Sequence, residues 1–392
     1  MEKLTDIFSI NTPDIMLTEK CNLNCKYCFE KDKNGKNIDR EKLLDYIKEQ
    51  TNFSFFPFGG EPMLALDLLI KIKQEIESMD FAGKKKEEMI RGLTAIITNG
   101  TLIPQNLEKI KEHGFNCQIS MDGPKDIHDK NRVFGNGAGS FDKVMKGLEL
   151  LAQNNLPFSL HGVINKQSIK YFFAINKFFF ELLMKERGIE ETIHFFKHNS
   201  YQIIFEEEYT QQDIKDLTDG MEKFCDWIFE KQDLEIDKKR QFLKEFLAKK
   251  GSICGAGTAL LALNVDFDIF PCHRSATISE RANFKLGNVY EPENFKNYRL
   301  YNAYYHHAHE VRTSYSAVYD YSPNDPNAKS WFMWCPSTNL ETSGNIYYQN
   351  AKYNLLFAEF HRLISYLIKK YGLNTEVNEP RSNGNGDETC HN

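Results

Sequence analysis

The chain has 392 residues, with 49 Lys and Arg against 55 Asp and Glu, a formal net charge of −6 carried without any long block of one sign. That balance excludes a general nucleic-acid binder, which would present a basic face. With 41% hydrophobic and 27% charged residues the composition is globular, and at about 150 residues per domain the length suits two or three units. The opening MEKLTDIFSI lacks a basic stretch followed by an apolar run, and the apolar stretch YFFAINKFFFELL is broken by Asn176 and Lys177, so export and membrane insertion are disfavoured and a cytoplasmic setting is expected.

From residue 14 to about 196, strand-like runs alternate with helical ones, the order that gives a parallel sheet covered by helices. The first strand falls near DIMLTE. Leu43, Leu44 and Ile47 predict a helix over 41 to 50, FSFFPF at 53 to 58 a buried strand, and MLALDLLIKI from Met63 the next helix. LTAIIT at 93 to 98 is β-branched and stops at Asn99-Gly100; 103 to 113 reads as helix and NCQISM at 116 to 121 as strand. Behind Ser140, a candidate N-cap, Phe141, Val144, Met145 and Leu148 share a helical face, followed by the strand FSLHGVI at 158 to 164. A helix from Ser168 to Met184 and a strand near TIHFFK at 192 to 197 complete six β/α units, an α/β fold of the partial (β/α)6 barrel type rather than a closed eightfold one.

Beyond this, 205 to 250 reads as a helical bridge, with Ile214, Leu217, Met221, Phe224 and Ile228 on one face. After Gly251, Leu261, Leu263, Val265, Phe267 and Ile269 alternate with Ala262, Asn264, Asp266 and Asp268, which predicts strands with two distinct faces in a small α+β domain. A last helix carries Leu356, Phe360, Leu363, Ile364 and Leu367. The expected division is a barrel at 1–204, a bridge at 205–250, a smaller domain at 251–375 and a polar, disordered tail at 376–392.

Nine cysteines are too few and too clustered for a disulfide scaffold, so metal or redox chemistry is the better reading. Cys21, Cys25 and Cys28 are spaced C-x3-C-x2-C directly after the first strand, on a βα loop at the sheet edge where such folds place active sites. Three thiolates hold three irons of a four-iron cluster and leave the fourth iron open to a small molecule. A closed zinc site takes four ligands, and no fourth Cys or His is near in sequence. The loop by itself leaves a cluster, another metal and a chance spacing open.

With Tyr27 before the last of these cysteines, and with GGEP at 59 to 62, TNGTL at 98 to 102, SMDGPKDIHDKNR at 120 to 132 and VIN at 163 to 165 in order behind it, the chain resembles the radical S-adenosylmethionine enzymes. The resemblance implies a 4Fe-4S cluster on Cys21, Cys25 and Cys28 whose open iron is chelated by the amino and carboxylate groups of S-adenosylmethionine. It further implies that Gly59, Gly60 and Glu61 approach the amino group, that Tyr27, Asn99, Ser120, Asp122 and Asn165 line the cofactor, and that Arg132 pairs with its carboxylate. A one-electron donor of the flavodoxin or ferredoxin type is implied as well. Taken alone, Gly59-Gly60 and Asn99-Gly100 are ordinary turn dipeptides, Ser120 or Asp122 suits a helix cap, and Arg132, set among charges, suits a solvated surface.

Downstream, Cys254, twelve residues, Phe267, four residues and Cys272, then LGNVYE at 286 to 291, are similar to the auxiliary-cluster extension of the SPASM or twitch type. A single further cysteine, Cys335, follows before the tail that holds Cys390, so one auxiliary iron–sulfur cluster is implied, with Cys254, Cys272 and Cys335 as ligands and the HHAH run at His306 to His309 as an alternative fourth. Buried free cysteines are the plain alternative. Phe267 stands where that family has Gly in a tight turn that needs positive φ, so either the turn type differs or the correspondence shifts.

The closest family types are the peptide- and protein-modifying maturases, including anaerobic sulfatase maturases, so the resemblance implies hydrogen-atom abstraction from a peptide or protein substrate to install a crosslink, oxidation or epimerisation. With 20 residues ahead of Cys21, no leader-binding domain is expected before the cysteine loop, and leader binding is expected elsewhere or on a separate protein. His273 stands where sulfatase maturases carry an Asp proposed as base, which weakens a formylglycine-forming assignment and leaves His273 a weak catalytic candidate. The alternatives are a radical dehydrogenase or mutase acting on a small molecule, and a non-catalytic zinc-binding protein.

Overall fold

The computed structural model describes residues 14–30, 35–49, 55–80, 83–197, 201–204, 209–247, 261–277, 281–291 and 351–373. Cys254, Cys335, Cys390, the HHAH run and the tail at 376–392 lie outside the described residues.

Strand β1 (Asp14–Thr18) is buried on both faces because it is central in its sheet: β2 (Phe56–Gly59) pairs in parallel on one side and β7 (Ala262–Leu263) in parallel on the other. β3 (Ala95–Thr98), β4 (Asn116–Ser120), β5 (Phe158–Ile164) and β6 (Tyr201–Ile203) form a second parallel sheet in chain order, and β3 packs beside β2. The first six strands therefore follow one another around a partial barrel, the α/β class that the sequence implies.

Helices α1 (Arg40–Glu49), α2 (Leu66–Ser78), α3 (Gly83–Leu93), α4 (Ile103–His113), α5 (Lys125–Asn131) and α6 (Phe141–Gln153) fill the crossovers up to β5. They pack on one face of the strands: Ile119 of β4 meets Ile103 of α4 and Val144 of α6 over Gly100, and Gly162 of β5 lies under Phe179 of α7 (Phe172–Lys197). By the two-residue period of a strand, Gln118, Ser120, His161 and Val163 face the opposite, concave side.

The predicted strand at 192 to 197 is helix instead. Helix α7 runs to Lys197 across a break at Gly188 (φ 79, ψ −177), and the sixth strand is Tyr201–Ile203, paired with Gly162 to Ile164. Thr192, Ile193, Phe195 and Phe196 are the buried residues there, at the i, i+1, i+3, i+4 spacing of a helix face. Phe196 packs on Phe242 and Phe246 of α9 (Ile236–Leu247) and on Phe224 of α8 (Gln211–Glu230), with ring centroids 5.0 to 5.7 Å apart. This aromatic packing overrides the β preference of Ile and Phe. Helix α8 begins at a reciprocal Thr210/Asp213 capping box. Helix α10 (Ala351–Lys370) buries Ile364 and Leu367, and Lys370 pairs with Glu222 and Asp226 of α8.

β7, β8 (Asp268–Phe270) and β9 (Gly287–Asn288) are antiparallel and extend the first sheet in the order β2-β1-β7-β8-β9. Leu261 to Val265 are buried on both faces rather than alternating, because β7 lies between β1 and β8. The turn from Asn264 to Phe267 keeps the geometry in which a Gly is usual. Phe267 has φ 64, its amide donates to Asn264 O at 3.0 Å, and its ring, 3% exposed, packs edge-on against Tyr290 at 5.2 Å. The left-handed backbone costs roughly 1–2 kcal/mol, and burying the ring offsets this by a comparable or larger amount, about 1.5–3 kcal/mol. We therefore predict that Phe267→Ala, which keeps the strain and loses the ring, destabilises by about 3–5 kcal/mol, whereas Phe267→Gly, relieved of the strain, is the more stable of the two. Urea unfolding of both variants checks this order.

Candidate functional site

At the C-terminal edge of β1 the chain enters the cysteine loop. Cys21, Cys25 and Cys28 are each partly exposed, and the backbone between them is held at fixed points. Asn24 N donates to Val133 O at 2.7 Å and Lys26 N to Asn131 O at 2.9 Å, while Leu23 bridges Phe134 in antiparallel fashion. Cys28 N closes a turn onto Cys25 O at 3.1 Å. On its other flank Asn22 donates to Thr101 Oγ1 and accepts from Asn99 Nδ2, each at 2.8 Å. Asn22, Thr101 and Asn131 escape a reading of sequence, since the Asn22–Thr101 and Asn131–Asn165 contacts span 79 and 34 positions.

The end of β2 packs directly against the end of β1. A Cβ on Gly59 (φ 152) would lie 2.3 Å from Thr18 O, and one on Gly60 2.4 Å from Lys20 O, so only glycine permits this approach. Gly60 N and Glu61 N then donate to Thr18 O and Lys20 O. The Glu61 carboxylate is buried and accepts three hydrogen bonds, from Thr98 Oγ1 at 2.7 Å, Asn99 N at 2.7 Å and Met63 N at 3.0 Å. Burial pushes its pKa up, against the pull of these donors. Both of its oxygens tie the end of β2 to the end of β3. Asn99, buried, uses Oδ1 on the Thr101 amide and hydroxyl, a local Asx turn that fixes the loop.

A buried ion pair closes the third side. Asp122, just past β4, has no exposed side chain and Arg132 only 9%; Arg132 Nε donates to Asp122 Oδ1 at 3.0 Å. The same carboxylate accepts Val163 N of β5 at 3.0 Å and the Tyr27 hydroxyl at 2.6 Å, and the guanidinium lies over the Tyr27 ring at 5.4 Å. Burial and the Asp122 carboxylate drive the Tyr27 pKa well above its ordinary value, so the phenol remains a donor, and Asp122 keeps Arg132 charged. Arg132 is thus buried and paired, not a solvated surface charge. Asn165 donates to Asn131 Oδ1 at 3.0 Å and accepts Ser168 N at 2.9 Å. Ser120, partly exposed, is level with His161 on the concave face.

Below this rim the concave face divides into an apolar side, with Phe56 41% and Ile97 48% exposed, and a polar side formed by Gln118, Ser120, Ser159 and His161. Cys272 and His273 follow β8 near the edge where β1 begins, the edge opposite the cysteine loop. His273 is half exposed and its Nδ1 lies 2.8 Å from Asp14 Oδ2. Burial lowers its pKa, the Asp14 carboxylate raises it, and the net shift is upward. Phe29, directly after Cys28, packs with Phe58 against Phe270 and Ala276, so a small aromatic cluster joins the two cysteine regions.

The three thiols are soft donors, each partly exposed, spaced along one loop. That donor set fits the separate corners of an iron–sulfur cube.

Comparison with known proteins accords with this geometry. The chain is 34% identical over 175 residues to a cysteine-type anaerobic sulfatase-maturating enzyme of Clostridium novyi (strain NT), covering 41% of this chain and 46% of that protein, so it spans less than half the length of that relative. It is 28% identical over 277 residues to the enzyme of the same name from Clostridium perfringens (strain ATCC 13124), covering 64% of this chain and 71% of that one. In fold it is similar to the solved structure of native anSMEcpe with bound AdoMet, with a TM-score of 0.62 at 19% identity, over 92% of this chain and 99% of the other. Residues 15–179 match the Radical SAM superfamily, and this chain accordingly carries a radical SAM domain on its partial barrel.

Proposed function

We propose that this protein is a radical S-adenosylmethionine enzyme that modifies a residue of a peptide or protein. The observation that carries the reading is the convergence at one sheet edge of the three-thiol loop, the Gly59–Gly60 approach and the buried Asp122–Arg132 pair. In this reading Cys21, Cys25 and Cys28 hold a 4Fe-4S cluster. Bound there, such a cluster would supply the one-electron reduction that cleaves S-adenosylmethionine to a 5′-deoxyadenosyl group able to abstract a hydrogen atom from the substrate.

The chain's own residues do the positioning. Arg132, charged and oriented by Asp122 and Tyr27, takes the cofactor carboxylate. Ser120, on the concave face, meets the ribose hydroxyls, while Gly60 and its neighbours leave backbone groups close to the amino end. Glu61, Asn99 and Asn165 act on the loops that frame the cofactor rather than as bare acceptors, since their side-chain oxygens are already engaged. The concave face below, with Phe56 and Ile97 opposite Gln118 and His161, receives the substrate and excludes water. The relatives named as sulfatase-maturating enzymes act on protein residues, which favours a polypeptide substrate. We assign Cys272, with Cys254 and Cys335, to one auxiliary iron–sulfur cluster, His273 to a proton-transferring position beside it, and reduction to a flavodoxin- or ferredoxin-type donor.

Cys25→Ala is expected to abolish 5′-deoxyadenosine formation and to lower iron to the content of the auxiliary site alone, whereas Cys272→Ala retains cofactor cleavage without product. Anaerobic reconstitution with iron and sulfide reads the first: about eight irons per chain fit two clusters and about four fit one, while bound zinc without iron–sulfur absorption rejects the reading. Mass spectrometry of a candidate peptide coexpressed from a neighbouring reading frame reads the second, and an unchanged mass with active cofactor cleavage rejects that peptide as substrate. Asp122→Asn leaves Arg132 buried without its counter-charge and is expected to destabilise by about 3–5 kcal/mol, against about 1 kcal/mol for Tyr27→Phe, which removes one hydrogen bond. Unfolding midpoints compare the two.

A further inference from the structure

The segment that pins the cysteine loop is itself a miniature hairpin. Arg132 to Phe134 run antiparallel to Ala138 to Ser140, through the Val133 and Gly139 bridge, Phe134 N to Ala138 O at 2.8 Å and Ser140 N to Arg132 O at 3.2 Å. Its outer limb gives Val133 O, and the preceding Asn131 its carbonyl, to the amides of Asn24 and Lys26. The cysteine loop is therefore laid down as an added edge on this hairpin.

Helix α5 holds the return limb in two places. Asp129 Oδ1 accepts Phe141 N at 2.8 Å, and Gly139 passes so close that a Cβ there would sit 2.0 Å from Asp129 Cγ. His128, fully buried and edge-on to Phe141 at 5.7 Å, lies 2.9 Å from Ser140 Oγ through Nε2. The Ser140 hydroxyl donates to Arg132 O at 2.8 Å, so it must accept from His128, which places the imidazole proton on Nε2. Nδ1 is left as an acceptor for Asp122 N at 3.4 Å. Burial pushes the imidazole down to about 4, which keeps this neutral tautomer in place at neutral pH.

We propose that His128 and Ser140 are positioning residues for the three-thiol site: by locking the Arg132–Ser140 hairpin they set the separation of Cys21, Cys25 and Cys28 and the place of Arg132 beside Tyr27. This rests on the reading of those thiols as cluster ligands. His128 acts through Ser140 on the carbonyl of Arg132, through Nδ1 on the Asp122 amide, and through the hairpin on the loop.

Hydrogen exchange of the Asn24 and Lys26 amides in the iron-free chain tests the lock directly, with anaerobic iron release to a chelator from the reconstituted chain as the second measurement. Ser140→Ala is expected to speed exchange at both amides by about tenfold and iron release by a similar factor, with circular dichroism unchanged. His128→Gln, which keeps an N–H donor near the Nε2 position, is expected to stay within about threefold of the unaltered chain, while His128→Asn, too short to reach Ser140, behaves as Ser140→Ala does. Unaltered exchange and release in both Ser140→Ala and His128→Asn overturns the proposal while leaving the cluster reading intact. Failure of the unaltered chain to take up iron removes the cluster reading, and the proposal with it, whatever the exchange shows.

Discussion

Asp122 is the point on which the site is hung. Its carboxylate, wholly removed from solvent, accepts from Arg132, from the Val163 amide and from the Tyr27 hydroxyl, and so joins the end of β4, the end of β5 and the cysteine loop. A buried carboxylate is costly unless it is paired and hydrogen-bonded, and such pairs are weak as stabilisers but strong as specifiers of geometry. Here the specified geometry is the place of Tyr27, one residue before Cys28, and of the Arg132 guanidinium over its ring. The Glu61 carboxylate performs the equivalent task between β2 and β3. Two buried acids thus fix the loops of successive strands against one another, with the three partly exposed cysteines on the loop beside them.

Much of the barrel was legible because its strands end at loops with strong local signals. The helix at 103 to 113 and the strand at 158 to 164 fall where periodicity puts them, and the C-x3-C-x2-C loop sits at the strand edge where a βα loop must. The strand expected at 192 to 197 failed for a tertiary reason: Phe195 and Phe196 are strand formers in isolation, but a helical face buries Phe196 against the aromatic surface of α8 and α9 and Phe195 against Phe179. Helix α5 carries few apolar residues in its seven positions, so periodicity gives no sign of the element that grips the hairpin. Phe267 shows how a bulky residue can hold a left-handed backbone, since a buried ring compensates a conformation that glycine adopts without strain.

In the site itself, residue type was readable and role was not. Arg132, flanked by charges in sequence, is buried because Asp122 lies ten positions earlier on the neighbouring loop, a relation set by the crossover geometry and not by local pattern. Glu61, a free carboxylate by sequence, has both oxygens occupied by groups 37 and 38 positions away. The Glu61 partners come together only when β2 and β3 lie side by side, so the cysteine spacing is visible in the sequence while the hydrogen-bond network around it is not.

The resulting account is of a sulfur-bearing loop held by its neighbours at the mouth of a half-barrel, above a face that is apolar on one side and polar on the other. Low-temperature electron paramagnetic resonance of anaerobically reconstituted, dithionite-reduced protein, with and without S-adenosylmethionine, tests its centre. The account predicts the signal of a reduced four-iron cluster whose line shape changes when S-adenosylmethionine is added; no such signal, or one that the addition leaves unaltered, contradicts it.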